Sequence, residues 1–158
     1  MALEIERKFL VEGDGWRAAD GKSRHIVQAY VALEGGTSVR VRIYDGRDAR
    51  LTVKFGLSSI TRDEFEYPIP LADAEHMVEA AKGRLVEKTR HAITSGGFVW
   101  EVDAYEGQLS GLVIAEVEMQ SEDDAPELPD WVGREVTGDP TWSNANLAVR
   151  GLPEEARR

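Results

Sequence analysis

Charged residues recur two apart along nearly every extended stretch of this 158-residue chain. The sets are Glu4, Glu6 and Lys8; Arg40 and Arg42; Lys54; Glu64 and Glu66; Lys88 and Arg90; Glu101 and Asp103; and Glu116 and Glu118. Apolar residues alternate with them, such as Ile5 and Phe9, Val39 and Val41, Trp100 and Val102, with Arg7 the one break in the first stretch. Successive strand side chains point to opposite faces, so each charged set shares one face. A charged face is ordinarily the wet side of an antiparallel sheet. Here, however, the signs are sorted within strands: Glu-Glu, Arg-Arg, Lys-Arg, Glu-Asp. Like charges on one face repel, and a surface built only for solubility mixes its signs. A ligand that carries both signs, a polyphosphate with divalent metal, gives the sorting a purpose. Arginine forks and lysine ammoniums suit phosphate oxygens. Carboxylates suit Mg²⁺ or Mn²⁺, which take oxygen ligands.

These residues must be positioned by strands. The segments 1–12, 25–33, 38–44, 50–55, 61–69, 85–93, 98–105 and 113–119 read as strands. Gly35-Gly36, Asp45-Gly46 and Gly96-Gly97 are hairpin signals between them. Leu71, Ala74, Met77, Val78 and Ala81 follow helical spacing, with Gly83 placed to end the helix. Residues 122–130, acidic and with two prolines, read as a loop, and a short helix is expected near 144–149, capped by Ser143 or Asn144. About eight strands, mostly antiparallel, suggest a barrel or a sandwich, and eight strands can close into a barrel. The apolar faces hold the aromatics and β-branched residues that need covering, and the helices and tail can cover them. The expected fold is therefore an α+β, inside-out barrel, with the charged faces lining a hydrated tunnel and the helices packed outside. Its lining would hold eight carboxylates and six cations, a local charge of −2 out of a net −10.

The length fits one domain, taken as 1–158. There are no cysteines, which excludes disulfides, thiolate metal sites and cysteine nucleophiles. The N-terminus lacks signal-peptide character, and no apolar run approaches the about 18 residues of a membrane helix. The cytoplasm is the expected location. An acidic exterior disfavours nucleic acid and anionic lipid, so neither is expected as a partner. Gly15–Ser23 misses the P-loop spacing by one residue, and no helix pattern follows it. His25, His76 and His91 show no metal spacing, and the four tryptophans read as packing.

EIERKFLV, with Glu4, Glu6 and Lys8, resembles the N-terminal signature of the CYTH superfamily, the triphosphate tunnel metalloenzymes. The resemblance continues through SVRVRI, LTVK, EFEYPIP, EKTR, WEVD and AEVEM to EVTGDPTWSNANLA, nearly the whole chain. It implies an eight-stranded antiparallel barrel and metal-dependent chemistry on a triphosphate, with inorganic tripolyphosphate the leading substrate. The alternatives are hydrolysis of thiamine or nucleoside triphosphate, cyclisation of ATP, and a polyphosphate-binding module without turnover. By the resemblance, Lys8, Arg40, Arg42, Lys54, Lys88 and Arg90 bind substrate. Glu4, Glu6, Glu116, Glu118 and Asp103 are metal ligands. Glu64, Glu66 and Asp103 hold a second metal or orient the attacking water, with Glu101 unassigned. Tyr30 matches an aromatic near the tunnel mouth that either restrains Lys88 or only packs. A homodimer is compatible with this reading.

Overall fold

A computed structural model describes residues 2–56 and 60–157, apart from the Ala2 side chain. Its frame is a ring of eight antiparallel strands: β1 (Ala2–Val11), β2 (Lys22–Glu34), β3 (Thr37–Tyr44), β4 (Asp48–Gly56), β5 (Thr61–Ile69), β6 (Leu85–Ser95), β7 (Phe98–Tyr105) and β8 (Val113–Glu118). The ring order is β5-β4-β3-β2-β6-β7-β8-β1, and it closes through β1–β5 pairing. Closure leaves no free edge in the ring. A ninth strand, β9 (Val132–Glu135), adds to β1, with Phe9 opposite Glu135 and Val11 opposite Val132. Four residues with a glycine among them carry too little alternation to announce a strand.

The hairpins form where their turn chemistry places them. Asp45 and Gly46 both have positive φ (53° and 68°) in the turn between Tyr44 and Asp48, which face each other across the hairpin. Gly96 and Gly97 do the same between β6 and β7. Helix α1 (Leu71–Ala80) lies outside the barrel, where Ala74 is buried against Val41, Ile43 and Ala49. A second exterior cluster joins Phe9, Trp16, Trp100, Val102, Ala115 and Val117, with Trp131 and Val132 packed over it. The apolar faces are thus covered, and burying each such large side chain is worth about 1.5–3 kcal/mol.

Helix α2 (Asn144–Arg150) is capped by Ser143, whose Oγ accepts from the Asn146 amide at 3.1 Å. It does not join the exterior cover. Leu147 packs with Val86, Tyr105, Ile114 and Leu10. These lie two residues from Lys88, Asp103, Glu116 and Lys8, respectively, and so share their inward faces. The inward face is therefore charged in its middle and apolar at one end, and α2 fills that end. No helix among the described residues is long and apolar enough to cross a membrane.

Candidate active site

Cross-strand register brings the charged sets together. Lys8 stands opposite Glu116, Glu6 opposite Glu118, and Glu116 opposite Glu101. Arg90 stands opposite Asp103, Lys54 opposite Glu64, and Thr52 opposite both Arg40 and Glu66. A cavity of about 420 Å³ opens within the barrel, lined by Glu6, Lys8, Tyr30, Arg40, Arg42, Lys54, Arg62 and Glu116. Thr137 and Asn144 from the tail and the Gly35–Ser38 turn also reach it. Arg42, Tyr30 and Glu116 are buried and form its floor, while Glu34, Gly35, Asp139 and Pro140 are exposed at its rim.

The cations fall into two groups. Lys88, Arg90 and Lys54 are neutralised. Lys88, fully buried, lies 2.7 Å from Asp103, which also takes a two-pronged contact from Arg90 at 2.7 and 2.9 Å. Lys88 Nζ also reaches Asn144 Oδ1 at 3.3 Å and sits 5.5 Å from the centre of the Tyr105 ring. Burial pulls the Lys88 ammonium down to about 7, against the upward pull of Asp103. Burial alone would raise Asp103, but Arg90 and Lys88 hold it below the usual carboxylate range. Lys54 donates to both Glu4 oxygens at 2.9 and 3.0 Å and lies 3.4 Å from Glu64.

The second group has no carboxylate within ion-pair distance among the described residues: Lys8, Arg40, Arg42 and Arg62. Lys8 Nζ donates to the Trp142 carbonyl at 3.3 Å. Arg42 donates from Nε to Gln28 Oε1 at 2.8 Å. Arg40 is buried, with its Nε unpartnered. Burying a charge without a partner is costly. A set of such cations facing one cavity is what a bound anion would complete.

The carboxylates crowd on the facing wall. Burial and the proximity of Glu116 and Glu4 push Glu6 well above the ordinary carboxylate range. Burial acts the same way on Glu116, but Lys8, Arg90 and Lys88 hold it well below. Glu118, at the exposed end of the set, is raised by partial desolvation and by Glu4 and Glu101. Glu4, Glu6, Glu116 and Glu118 thus offer oxygen donors of the type a hard divalent cation takes, so their chemistry suits such an ion, although among the described residues their oxygens are not gathered into one cluster.

Several residues stand differently from the sequence-based expectations. Asp103 has both oxygens engaged by Arg90 and Lys88. Glu66 meets Thr52 Oγ1 at 3.2 Å and Arg50 at 3.5 Å, and Glu101 meets Arg90 at 3.3 Å; neither lines the cavity. Tyr30 accepts from Gln28 Nε2 at 2.9 Å, and the aromatic beside Lys88 is Tyr105. Sequence reasoning missed Arg62, although it sits two residues before Glu64 on the same face. Gln28, Tyr105 and Asn144 carry no charge and gave no alternation signal. On the outer surface, His25 Nε2 lies 2.7 Å from Glu87 and 3.5 Å from Glu106, an exposed group that chain separation hid.

A family model for the CYTH domain matches residues 2–151. An inorganic triphosphatase from Acetivibrio thermocellus is 42% identical over 148 residues, covering 93% of this chain and 94% of that protein. Another from Nitrosomonas europaea is 36% identical over 152 residues, covering 92% and 97%. The crystal structure of an inorganic triphosphatase superposes with a TM-score of 0.71 at 32% identity, covering 97% of this chain and 99% of that one.

Proposed function

Since the chain belongs to the CYTH domain family, we propose that it is a metal-dependent inorganic triphosphatase, cleaving tripolyphosphate to pyrophosphate and phosphate. The observation that carries this reading is the group of four cavity-lining cations without carboxylate partners, facing a wall of crowded glutamates. The similarity to inorganic triphosphatases supports the substrate class.

Lys8, Arg40 and Arg42 bind the phosphate chain, replacing its water with fixed donors. Lys54 joins them from its place between Glu4 and Glu64. Lys88 and Arg90 stand behind, aligned by Asp103, which is assigned here as a positioning residue. Glu4, Glu6, Glu116 and Glu118 would hold Mg²⁺ or Mn²⁺, an ion that supplies charge neutralisation on phosphate oxygens and acidifies bound water. Glu64, raised by burial and by its contact with Glu4, is assigned the role of orienting the attacking water. Water attacks the terminal phosphorus in line, the bridging oxygen leaves with pyrophosphate, and the proton passes to solvent. Positioning and charge stabilisation carry the rate. The reaction needs no covalent enzyme intermediate.

The test is phosphate release from tripolyphosphate, ATP, thiamine triphosphate and pyrophosphate with Mg²⁺, Mn²⁺ or EDTA, reading cyclic AMP alongside. Tripolyphosphate should be the best substrate, and chelation should abolish turnover. Full activity in EDTA, or cyclic AMP as the main product from ATP, would overturn the reading.

A further inference from the structure

Arg62 stands apart from the other cavity cations. It is the second residue of β5, opposite Glu4, two residues before Glu64 on the inward face. Despite those neighbours its guanidinium makes no ion pair with either. Glu4 is taken by Lys54 at 2.9 Å, and Glu64 lies 3.4 Å from the same ammonium. Arg62 instead lines the cavity, half-buried, on the side of Gly35, Gly36 and Gly56. Deeper in, Arg40 leaves a buried Nε unpartnered. The cavity thus has cations on its floor, at Arg42, and one more near its rim, at Arg62.

Resting on the triphosphatase reading, we infer that Arg62 binds the outer phosphoryl of the substrate and selects an unesterified end over an esterified one. Tripolyphosphate has two bare terminal phosphoryls. When one is held at the floor, the other reaches the mouth, with three non-bridging oxygens and the extra charge of a terminal group. In a nucleoside triphosphate bound the same way, the mouth position holds the α-phosphate, which has lost one oxygen and one charge to its ester. A guanidinium fork without a partner among the described residues gains most from the bare end: the α-phosphate keeps two non-bridging oxygens, but the bare terminal group carries the greater charge and a third acceptor. Arg62 touches the end that does not react, so it contributes binding rather than charge stabilisation at the attacked phosphorus.

The test compares Arg62→Ala and Arg62→Lys with the parent enzyme. Tripolyphosphate turnover is measured, together with ATP turnover or, where ATP is not hydrolysed, its inhibition constant against tripolyphosphate. Arg62→Ala should lower kcat/KM for tripolyphosphate by about tenfold or more, chiefly through KM. Its effect on ATP should stay below about threefold, because the ester end offers the fork less. Arg62→Lys should recover part of the loss, since it restores charge without the fork. Thermal melts of the metal-bound proteins without substrate should coincide, so a fold defect would be seen directly. Equal losses for both substrates, a loss confined to kcat, or no loss would each overturn the assignment. An inactive parent enzyme would instead overturn the triphosphatase reading, which keeps the two failures distinct.

Discussion

Asp103→Asn strikes the most heavily loaded carboxylate in the barrel. The Asp103 side chain is fully buried and contacts two cations, Lys88 at 2.7 Å and Arg90 at 2.7 and 2.9 Å. The substitution keeps the volume and one acceptor oxygen but removes the negative charge. Breaking a buried ion pair by removing one partner costs about 3–5 kcal/mol, because the other charge is left uncompensated. Two details favour the lower end. Lys88 already sits at about 7 with Asp103 present, so without it the ammonium sheds its proton instead of remaining charged. Arg90 cannot do so, but it keeps Glu101 at 3.3 Å and Glu116 at 3.9 Å. A loss of about 3 kcal/mol corresponds to a fall in melting temperature of roughly 6–12 °C for a chain of this size. Thermal melts at pH 6, where Lys88 is still largely protonated in the parent, followed by circular dichroism measure it. Adding Lys88→Met to Asp103→Asn should return part of the loss, since it removes the group that Asp103 neutralises. A single mutant that melts within about 2 °C of the parent would refute the claim that Asp103 holds the buried cations.

Two further substitutions probe the facing of the barrel and the carboxylate wall. Val41→Asp would bury a carboxylate beneath α1 among Ile43, Ala49 and Ala74, and should cost several kcal/mol or prevent folding. Its neighbour Arg42→Ala should cost only about 1–3 kcal/mol, through the orphaned Gln28 oxygen, yet lose most of the stabilisation by tripolyphosphate with Ca²⁺; the reverse order in paired melts would contradict the inside-out facing. Glu116→Ala should abolish phosphate release and remain folded, because it removes one of several crowded carboxylates; an insoluble variant would make Glu116 structural rather than part of the ion site.

What the sequence makes legible is the part written in charge. Alternation at Arg40 and Arg42 or Glu116 and Glu118 marks a face whatever the strand packs against, and Asp45-Gly46 and Gly96-Gly97 announce hairpins through backbone chemistry. The closed end of the barrel is less legible. Leu10, Val86 and Ile114 continue charged faces with apolar residues, so by pattern alone they look like lapses in alternation. Their partner Leu147 lies far along the chain, and only the fold shows that α2 turns inward. Roles are harder still. Asp103 and Glu118 look equivalent in sequence, but one is sealed between two cations and the other is exposed. Arg62 follows the same alternation as Glu64, yet its sign differs, and a pattern built on sorted pairs passes over it.

The two walls of the cavity explain why so many buried charges are tolerated. A lattice of mutual salt bridges would neutralise every cation, and desolvation would leave it little net stabilisation. Here neutralisation is selective. Asp103 satisfies Lys88 and Arg90, and Glu4 satisfies Lys54, which fixes a rigid frame. On the proposed reading Lys8, Arg40, Arg42 and Arg62, without carboxylate partners among the described residues, are left to an anion, while burial and its acidic neighbours favour the neutral form of Glu6. Each wall is therefore incomplete in the opposite sense. A polyphosphate completes the cations and adds negative charge beside the glutamates; a divalent cation completes the glutamates and offsets that charge. Either component alone leaves one wall strained, so the geometry favours arrival of the phosphate chain together with its metal.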